Sequence, residues 1–280
     1  MTDADPALPD LRFVPVESLV PHEWHDEHRF EPLVRRLRDS GVLRNPPVVA
    51  AAPDDSGRWV VLDGANRASA IRAAGLPHVV VQVVRYEEPD VRLTTWSHAL
   101  SGVARAAFQG ACARIPGLAA RADSLLHARA TLARRECVAV ATYPGGEATT
   151  LQGGADLRER NQLLNGIVDV YRRQRFHRTA SEIPAHVFAR HPDVTVLVIF
   201  PHFEPSEVLE LAISGERLPA GITRHLIRWR ALRVNVPLER LADTGATLEQ
   251  KNAWLAQWLA ERATERQVRF YEEPTVLFDE

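Results

Sequence analysis

Along the first hundred residues, short apolar segments alternate with segments whose apolar residues recur at helical spacing. Four segments are short and contain runs of β-branched residues, as strands do: FVPVESLV, PPVVAA, RWVVLDG and HVVVQVVRY. Between them, EHRFEPLVRRLRDSG places Leu33, Val34 and Leu37 on one face, and residues 65–74 are rich in alanine, so both predict helices. The pattern predicts a compact α+β domain over residues 1–100.

Residues 101–280 predict a second domain that also mixes helices and strands. A helix-rich stretch is followed by the strands CVAVATY and EATTLQG around a Pro-Gly-Gly turn, and then by the long helix DLRERNQLLNGIVDVYRRQ. The apolar strand VTVLVIF and the helix PSEVLELAISG come next. A last helix carries Trp254 and Trp258 at a spacing that core packing alone explains, and an aromatic strand is predicted after it.

Composition and charge exclude several classes of protein. Lys and Arg total 34 against 36 Asp and Glu, so the chain lacks the basic field of a dedicated DNA-binding protein. No stretch resembles a secretory leader or reaches the roughly 18 apolar residues of a membrane span, so we expect a cytoplasmic protein without membrane contact. Cys112 and Cys137 lack metal-site spacing and are expected to be free, buried thiols.

Lys251 is the only lysine in the chain. A Walker A loop and a kinase-type strand lysine are therefore excluded, as is Schiff-base chemistry in the predicted clefts. Any phosphate must be bound by backbone amides and arginine.

The segment VVLDGANRASAIRAAG predicts a strand, a sharp turn and a helix, and its polar residues fall at the corner. Backbone N–H groups at a helix start lack intrahelical partners and carry the positive end of the peptide dipole. Together with Arg67 they form a candidate phosphate site. The residues alone leave an alternative open, in which Asp63 simply caps the helix and Gly64 permits the turn.

Three further segments are dense in functional groups. PHEWHDEHR contains Glu23 among histidines and acids before a helix; a solvated capping cluster would have the same composition, and the spacing is not that of a zinc protease. TTWSHAL places an indole, a hydroxyl and an imidazole after the last strand of the first domain. LPAGITRHLIRWR puts Arg224 beside the hydroxyl of Thr223, a pair suited to a carboxylate. For the last two segments a structural role is the alternative.

The order of these motifs resembles the ParB/sulfiredoxin-like superfamily, in which a corner of this type binds nucleotide phosphate. The combination of an H-E element, L-D-G-x-x-R, T-W-x-H, a T-R-H stretch and the tail VRFYEEPTVLFDE is similar to the free L-serine kinases. The resemblance implies a ParB/sulfiredoxin-like N-terminal domain, a mixed α/β C-terminal domain and an active site in the cleft between them. It also implies transfer of a phosphoryl group from ATP or ADP to the hydroxyl of free L-serine, which gives O-phospho-L-serine.

The same resemblance implies roles for individual residues. Glu23 would be the general base on the serine hydroxyl, and Asp63 would orient the nucleophile or bind Mg²⁺. The phosphate loop would comprise Gly64, Ala65, Asn66 and Arg67, and the substrate would be bound by Trp96, Ser97, His98, Thr223, Arg224 and His225. Asn66 stands where histidine is more usual, so transition-state charge would rest more heavily on Arg67. Because Ala65 and not cysteine precedes it, sulfiredoxin chemistry is excluded.

Two other hypotheses use the same motifs. One is a ParB-like DNA-binding transcriptional regulator that responds to haem through a histidine such as His22, His25 or His98. The near-neutral charge and the lack of a helix-turn-helix pattern argue against DNA as the main ligand. The other is a nucleotide-hydrolysing switch of the ParB type, which would need the phosphate corner but neither Trp96 nor Arg224.

Overall fold

The computed structural model of the protein describes residues 7–25 and 27–271. By their internal contacts these residues divide into two compact units. Unit 1 contains the described residues up to Arg92 together with those from His225 onward, and unit 2 is Leu93–Arg224. The mixture of helices and several sheets agrees with the α+β class predicted from the sequence.

The N-terminal part of unit 1 alternates strands with two helices. A short 3₁₀ helix, Val16–Ser18, divides the first apolar segment into two strands where the sequence predicted one. In chain order the elements are β1 (Leu11–Pro15), β2 (Leu19–Pro21), α1 (Glu27–Ser40), β3 (Val42–Leu43), β4 (Val48–Ala51), β5 (Trp59–Asp63), α2 (Ala65–Ala73) and β6 (His78–Val83).

Five of these strands form one sheet in the order β1-β6-β4-β5-β2. β2 runs parallel to β5, whereas β4 pairs with β5 in the antiparallel direction. The middle three residues of β5 are buried, as expected for an apolar run inside a sheet, and the strand ends at Asp63 on the sheet margin. Asp63, the last residue of β5, therefore lies directly before the start of α2.

Unit 2 is built on a six-stranded sheet with helices on both faces. Its order is β12-β8-β13-β10-β11-β9, and β7 and β14, which contain the two points where the chain passes between the units, form a separate two-stranded pair. In chain order the elements are β7 (Val91–Thr95), β8 (Ser97–Ser101), α3 (Arg105–Cys112), β9 (Ala119–Ser124), α4 (Leu125–Ala133), β10 (Ala139–Thr142), β11 (Glu147–Gln152), α5 (Leu157–Tyr171), β12 (Phe176–Thr179), α6 (Pro184–Arg190), β13 (Val194–Ile199), α7 (Pro205–Ile213) and β14 (Thr223–Ile227).

The C-terminal part of unit 1 consists of β15 (Val236–Pro237), α8 (Leu238–Ala242) and α9 (Leu248–Thr264). A capping box at Thr247 and Gln250 starts α9. The amide of Asn252 accepts from the Phe13 N–H at 2.8 Å and donates to the Phe13 carbonyl at 3.2 Å. Trp254 packs on the Phe13 ring with 6.2 Å between centroids. These contacts place residues from 225 onward with the N-terminal strands, which differs from the predicted division at residue 100.

Lys251, the only lysine, is part of the same packing. Its side chain is buried, and Nζ donates to the carbonyl of Arg240 at 2.7 Å and lies 3.0 Å from Nδ1 of His78. Burial lowers the pKa of both Lys251 and His78. Lys251 therefore anchors α9 within the packing of unit 1.

None of the helices in the described part of the chain combines the length and apolar character that crossing a bilayer requires. The aromatic strand predicted after α9 falls mainly on residues 272–280, which lie outside the described residues. Residues 267–271 carry no regular secondary structure. Cys112 and Cys137 are free and buried, as expected, and burial raises the pKa of each thiol to about 12.

Candidate functional site

The strand–turn–helix corner of unit 1 is formed as the sequence predicted. Gly64 has a φ of 89° and serves as the N-cap of α2, and its carbonyl accepts from the Ala68 N–H at 2.9 Å. A Cβ at Gly64 would lie 3.0 Å from Nη2 of Arg67 and 3.2 Å from Cα of Pro47. The positive φ favours glycine here, and a Cβ would also crowd the Pro47 backbone and shift the Arg67 guanidinium.

Two arginines share the carboxylate of Asp63. Nη2 of Arg230 lies 2.5 Å and Nη2 of Arg67 lies 3.1 Å from Oδ2 of Asp63. Burial raises the pKa of Asp63, but the charges of Arg230 and Arg67 outweigh it, so that the pKa falls to about 2. Two guanidinium groups against one carboxylate leave a net positive charge at the start of a helix, the arrangement that an anion requires.

Arg230 is held in place by its sequence neighbours. The side-chain amide of Gln82 on β6 donates to the carbonyl of Trp229 at 2.8 Å and accepts from the N–H of Ala231 at 2.8 Å. Burial lowers the pKa of Arg230, and its Nε is buried without a hydrogen-bond partner among the described residues. Arg230 is not among the residues predicted from the sequence, where it is only the third arginine of RHLIRWR.

A second cluster in unit 1 surrounds Glu23. Nδ1 of His22 is bonded to the carbonyl of Val61, and Nε2 of His22 lies 3.8 Å from Oε1 of Glu23. Glu23 is buried apart from about a tenth of its surface. Burial and the charge of Glu23 raise the pKa of Tyr86 well above its ordinary value. Glu23 is thus a largely desolvated carboxylate in a polar pocket, and not part of a solvated capping cluster.

His225 connects this cluster to the corner. Its Nε2 lies 2.5 Å from the hydroxyl of Tyr86, and its ring meets that of His22 edge-on with 5.3 Å between centroids. Burial and the neighbouring His22 lower the pKa of His225 to about 3, against the opposing charge of Asp63. His225 is therefore neutral near pH 7, and Tyr86 donates to its Nε2. The predicted substrate residue His225 lies with Asp63 and Glu23 in unit 1.

A cavity of about 490 Å³ adjoins Arg67 in unit 1. Its walls come from α1, α2 and the segment around β3. The floor is apolar and the rim carries charged side chains: Leu33, Leu37, Leu43, Ala70 and Ile71 on the floor, and Arg36, Asp39, Arg44 and Arg67 at the rim. An apolar floor with a few convergent polar groups suits a small organic ligand with a charged end.

In unit 2, Trp96, Thr223 and Arg224 lie together. The Arg224 guanidinium carbon is 4.5 Å from the centre of the Trp96 ring, and Thr94 donates through Oγ1 to the Arg224 carbonyl at 3.1 Å. The Trp96 N–H donates to the carbonyl of Ile222 at 2.9 Å. The two sequence motifs TTWSHAL and LPAGITRHLIRWR are thus adjacent in the fold.

Ser97 and His98 lie in the core of unit 2, and both side chains are buried. Nδ1 of His98 accepts from the hydroxyl of Tyr171 at 2.8 Å, and Nε2 donates to the carbonyl of Gly221 at 3.0 Å. The ring is fully buried, and burial lowers its pKa to about 3. Both strand faces of β8 are covered, which the short motif could not reveal. This geometry favours a structural role for Ser97 and His98 over the predicted contact with substrate.

Asp63 does not fit the predicted role of magnesium ligand. Mg²⁺ is usually held by one or two carboxylates together with phosphate oxygens and water. Oδ2 of Asp63 already accepts from Arg67 and Arg230, whose charges oppose a further cation. Within residues 7–25 and 27–271, no group of three or more His, Cys, Asp and Glu side chains is arranged to hold a metal ion.

Comparison with known proteins points to one kind of enzyme. No protein-family model matches the chain. It is 26% identical over 275 residues to the ATP-dependent L-serine kinase SbnI of Staphylococcus aureus, covering 96% of this chain and 97% of that protein. It is 21% identical over 233 residues to the ADP-dependent L-serine kinase SerK of Thermococcus kodakarensis, covering 83% and 93%.

Solved structures agree with these sequence relatives. A free serine kinase in complex with AMP shares the fold with a TM-score of 0.73 at 19% identity, covering 85% of this chain and 96% of that one. C-terminally truncated SbnI from Staphylococcus aureus matches with a TM-score of 0.68 at 25% identity, covering 90% and 97%. ParB from Caulobacter crescentus and sulfiredoxin from Arabidopsis thaliana each match only 28% of the chain, with TM-scores of 0.25 and 0.24 that carry no argument. Over nearly its whole length, the chain is therefore similar in sequence and in fold to the free L-serine kinases, as its motifs indicated.

Proposed function

We propose that this chain is a free L-serine kinase, which transfers a phosphoryl group from ATP or ADP to the serine hydroxyl and releases O-phospho-L-serine. The observation that carries the proposal is the corner of unit 1, where Arg67 and Arg230 flank Asp63 at the start of α2. It occurs in a chain whose relatives over most of its length are named L-serine kinases. Because those relatives include ATP- and ADP-dependent enzymes, both donors are retained.

The nucleotide phosphates would bind at the corner. Arg67, Arg230 and the first-turn amides of α2 supply positive charge in a partly buried setting, where it acts more strongly than in water. Asn66 can donate to a phosphate oxygen but cannot become cationic. The cavity beside Arg67 would hold the nucleoside, since its floor is apolar.

Glu23 would be the general base. Phosphoryl transfer depends mainly on positioning and charge stabilisation, with a carboxylate placed to accept the proton of the attacking hydroxyl. Glu23 is a nearly buried carboxylate whose neighbour His22 is fixed by the Val61 carbonyl. Asp63, Tyr86 and His225 would act as positioning residues around it, through the bonds that join Tyr86 to His225 and Asp63 to the two arginines.

The serine would be held by Trp96, Thr223 and Arg224. A guanidinium group binds a carboxylate in a bidentate manner, and the Thr223 hydroxyl is its sequence neighbour. Ser97 and His98 are left out of this proposal because they are buried in the core. The location of the substrate in a cleft stays a prediction, as does a magnesium ion, which would be held by the phosphates of the nucleotide.

The test is a direct product analysis. The protein is incubated with each free amino acid, ATP or ADP, and Mg²⁺, and the small molecules are analysed by mass spectrometry. Serine should gain one phosphoryl group, and the donor should lose one in equal amount. Glu31→Gln on the exposed side of α1 serves as a matched control for Glu23→Gln. Nucleotide hydrolysis without any phosphorylated amino acid would overturn the proposed kinase function. It would favour the hypothesis of a nucleotide-hydrolysing switch.

The DNA-binding regulator is not favoured, because the relatives that span most of the chain are named kinases. A role for haem stays an untested hypothesis.

A further inference from the structure

The strand β9 is an open edge of the six-stranded sheet in unit 2. It pairs with β11 on one side and is the last strand in the sheet order of the described chain. Five of its six residues are exposed, in contrast to β11, whose middle four residues are buried. An exposed edge strand presents backbone groups that another strand can bind.

The register of β9 shows which backbone groups point outward. The Tyr143 N–H donates to the Glu147 carbonyl, so in the antiparallel ladder Glu147, Thr149 and Leu151 of β11 face β10. The alternate β11 residues then face β9, where Thr150 pairs with Arg121 and Ala148 with Asp123. By the same alternation, Ala120 and Ala122 direct their N–H and C=O groups away from the sheet. Their small side chains leave these groups accessible.

The spacing of the two charged residues of β9 suits pairing with an identical strand, in which an arginine would join the partners that Asp123 already has, Nδ1 of His127 at 2.7 Å and the Ser124 N–H at 2.8 Å. Arg121 and Asp123 are two positions apart and therefore lie on the same face. If two copies of β9 run antiparallel with Ala122 opposite Ala122, Arg121 of each copy lies directly opposite Asp123 of the second copy. Opposite charges facing each other across a strand pair are stabilising, whereas like charges are destabilising. In this register the outward groups of Ala122 also form a hydrogen-bonded pair.

We propose that two copies of this chain associate through antiparallel pairing of β9 about a two-fold axis at Ala122, which joins their six-stranded sheets. An interface between identical chains must be self-complementary, and the sequence Ala-Arg-Ala-Asp satisfies this requirement in one register only. Leu126, 84% exposed at the start of α4, lies two residues beyond the strand and supplies an apolar contact at the margin of the same surface. A stable interface contains roughly 20–30 residues from each partner, and this strand pair contains far fewer. The dimer should therefore form only at high protein concentration.

A cysteine at the two-fold axis tests the register. Ala122→Cys places two thiols opposite each other, with about 5.5 Å between Cα atoms, which a disulfide can bridge. Ala120→Cys is the matched control, because its two copies would be about 13 Å apart along the strands. Under mild oxidation Ala122→Cys should give a covalent dimer, and Ala120→Cys and the wild type, whose cysteines are buried, should not. Absence of the dimer, or equal crosslinking of both variants, overturns the proposal.

Charge exchange tests the electrostatic argument without a crosslink. Arg121→Asp or Asp123→Arg alone puts like charges opposite each other at two places, so the dissociation constant should rise about tenfold or more. The double variant R121D/D123R restores the opposite pairs and should restore the dimer. Sedimentation equilibrium gives the constants, and circular dichroism confirms folding of each variant. A single variant that dimerises like the wild type, or a double variant that does not recover, contradicts the proposed pairing.

Discussion

Arg230 and Asp63 form an ion pair of 2.5 Å, although one residue precedes unit 2 in the chain and the other follows it. Folding of the C-terminal segment onto the N-terminal sheet therefore completes the cluster of charged side chains at the corner. Asp63 and Arg67 alone would be neutral overall, and the guanidinium of Arg230 makes the net charge of the corner positive.

Arg230→Ala should weaken nucleotide binding about 10- to 100-fold, because a hydrogen bond between charged groups contributes about 1.5–3 kcal/mol. Arg228→Ala removes a guanidinium two positions away, on a side chain that is half exposed and 3.6 Å from Asp90, and should leave affinity nearly unchanged. Calorimetric titration of ATP and ADP into both variants gives the comparison. Equal affinities for the two variants would remove Arg230 from the phosphate site.

Glu23→Gln should lower turnover with serine about 10²- to 10⁴-fold, the usual effect of removing a general base. Nucleotide affinity should stay within a factor of about two, because Glu23 is assigned to the acceptor and not to the donor. Single-turnover kinetics with saturating nucleotide measures the first quantity, and calorimetry measures the second. A variant that keeps wild-type turnover would return Glu23 to a structural role.

Arg224→Ala should weaken serine binding about 10-fold or more and leave nucleotide binding intact, since its guanidinium is proposed for the serine carboxylate. Arg224→Lys keeps the charge but loses the planar fork, so it should recover only part of the affinity. Titration of serine in the presence of a non-transferable nucleotide measures both. Loss of nucleotide binding with retention of serine binding would contradict this assignment.

Gly64→Ala and Gly75→Ala form a matched pair. Both glycines have positive φ, 89° and 70°, so alanine at either should cost about 1–2 kcal/mol of folding free energy. A Cβ at Gly75 meets nothing within 4 Å, whereas one at Gly64 approaches the Arg67 guanidinium. Only Gly64→Ala should therefore also weaken nucleotide binding, as seen by comparing urea unfolding with calorimetry. A similar loss of affinity in both variants would show that backbone strain, and not displacement of Arg67, is responsible.

The stability of the protein should fall in mild acid because of His98. Burial lowers its folded-state pKa to about 3, whereas the unfolded value is about 6.5, so the unfolded chain binds the extra proton in this window. The contribution is fully present above pH 6.5 and is lost as the pH falls toward 3. Urea unfolding from pH 7 to 4 should show a steeper decline for the wild type than for His98→Gln. The exposed His186 gives the control, because His186→Gln should follow the wild type. Parallel curves for all three proteins would contradict the assignment.

Local patterns in the sequence were sufficient for the corner but not for the site around it. Gly64 and Arg67 follow from a strand, a turn and a helix that are contiguous in the chain. Arg230 and Tyr86 reach the same place only through long-range packing, which the segments RHLIRWR and VVRYEE do not predict. The H-E motif drew attention to Glu23, but its burial depends on contacts from β5 and β14.

His98 shows how a short motif can suggest a site where the structure favours a structural role. A histidine after tryptophan and serine resembles a binding motif, yet its strand lies inside a sheet that is covered on both faces. Alternation along five residues cannot distinguish a half-buried strand from a fully buried one. The partners that occupy both ring nitrogens, Tyr171 and Gly221, come from more than seventy residues away.

The burial of Lys251 leaves the folded chain without an exposed lysine amine. An acylating reagent such as an N-hydroxysuccinimide ester modifies exposed primary amines, and the only lysine amine of this sequence is a buried group of α9 that donates to main-chain carbonyls. In the folded protein that amine is shielded, and it becomes reactive when α9 leaves the N-terminal sheet. The rate at which this one lysine is acylated therefore reports the opening of unit 1. The rate can be measured on a single peptide and without any engineered label.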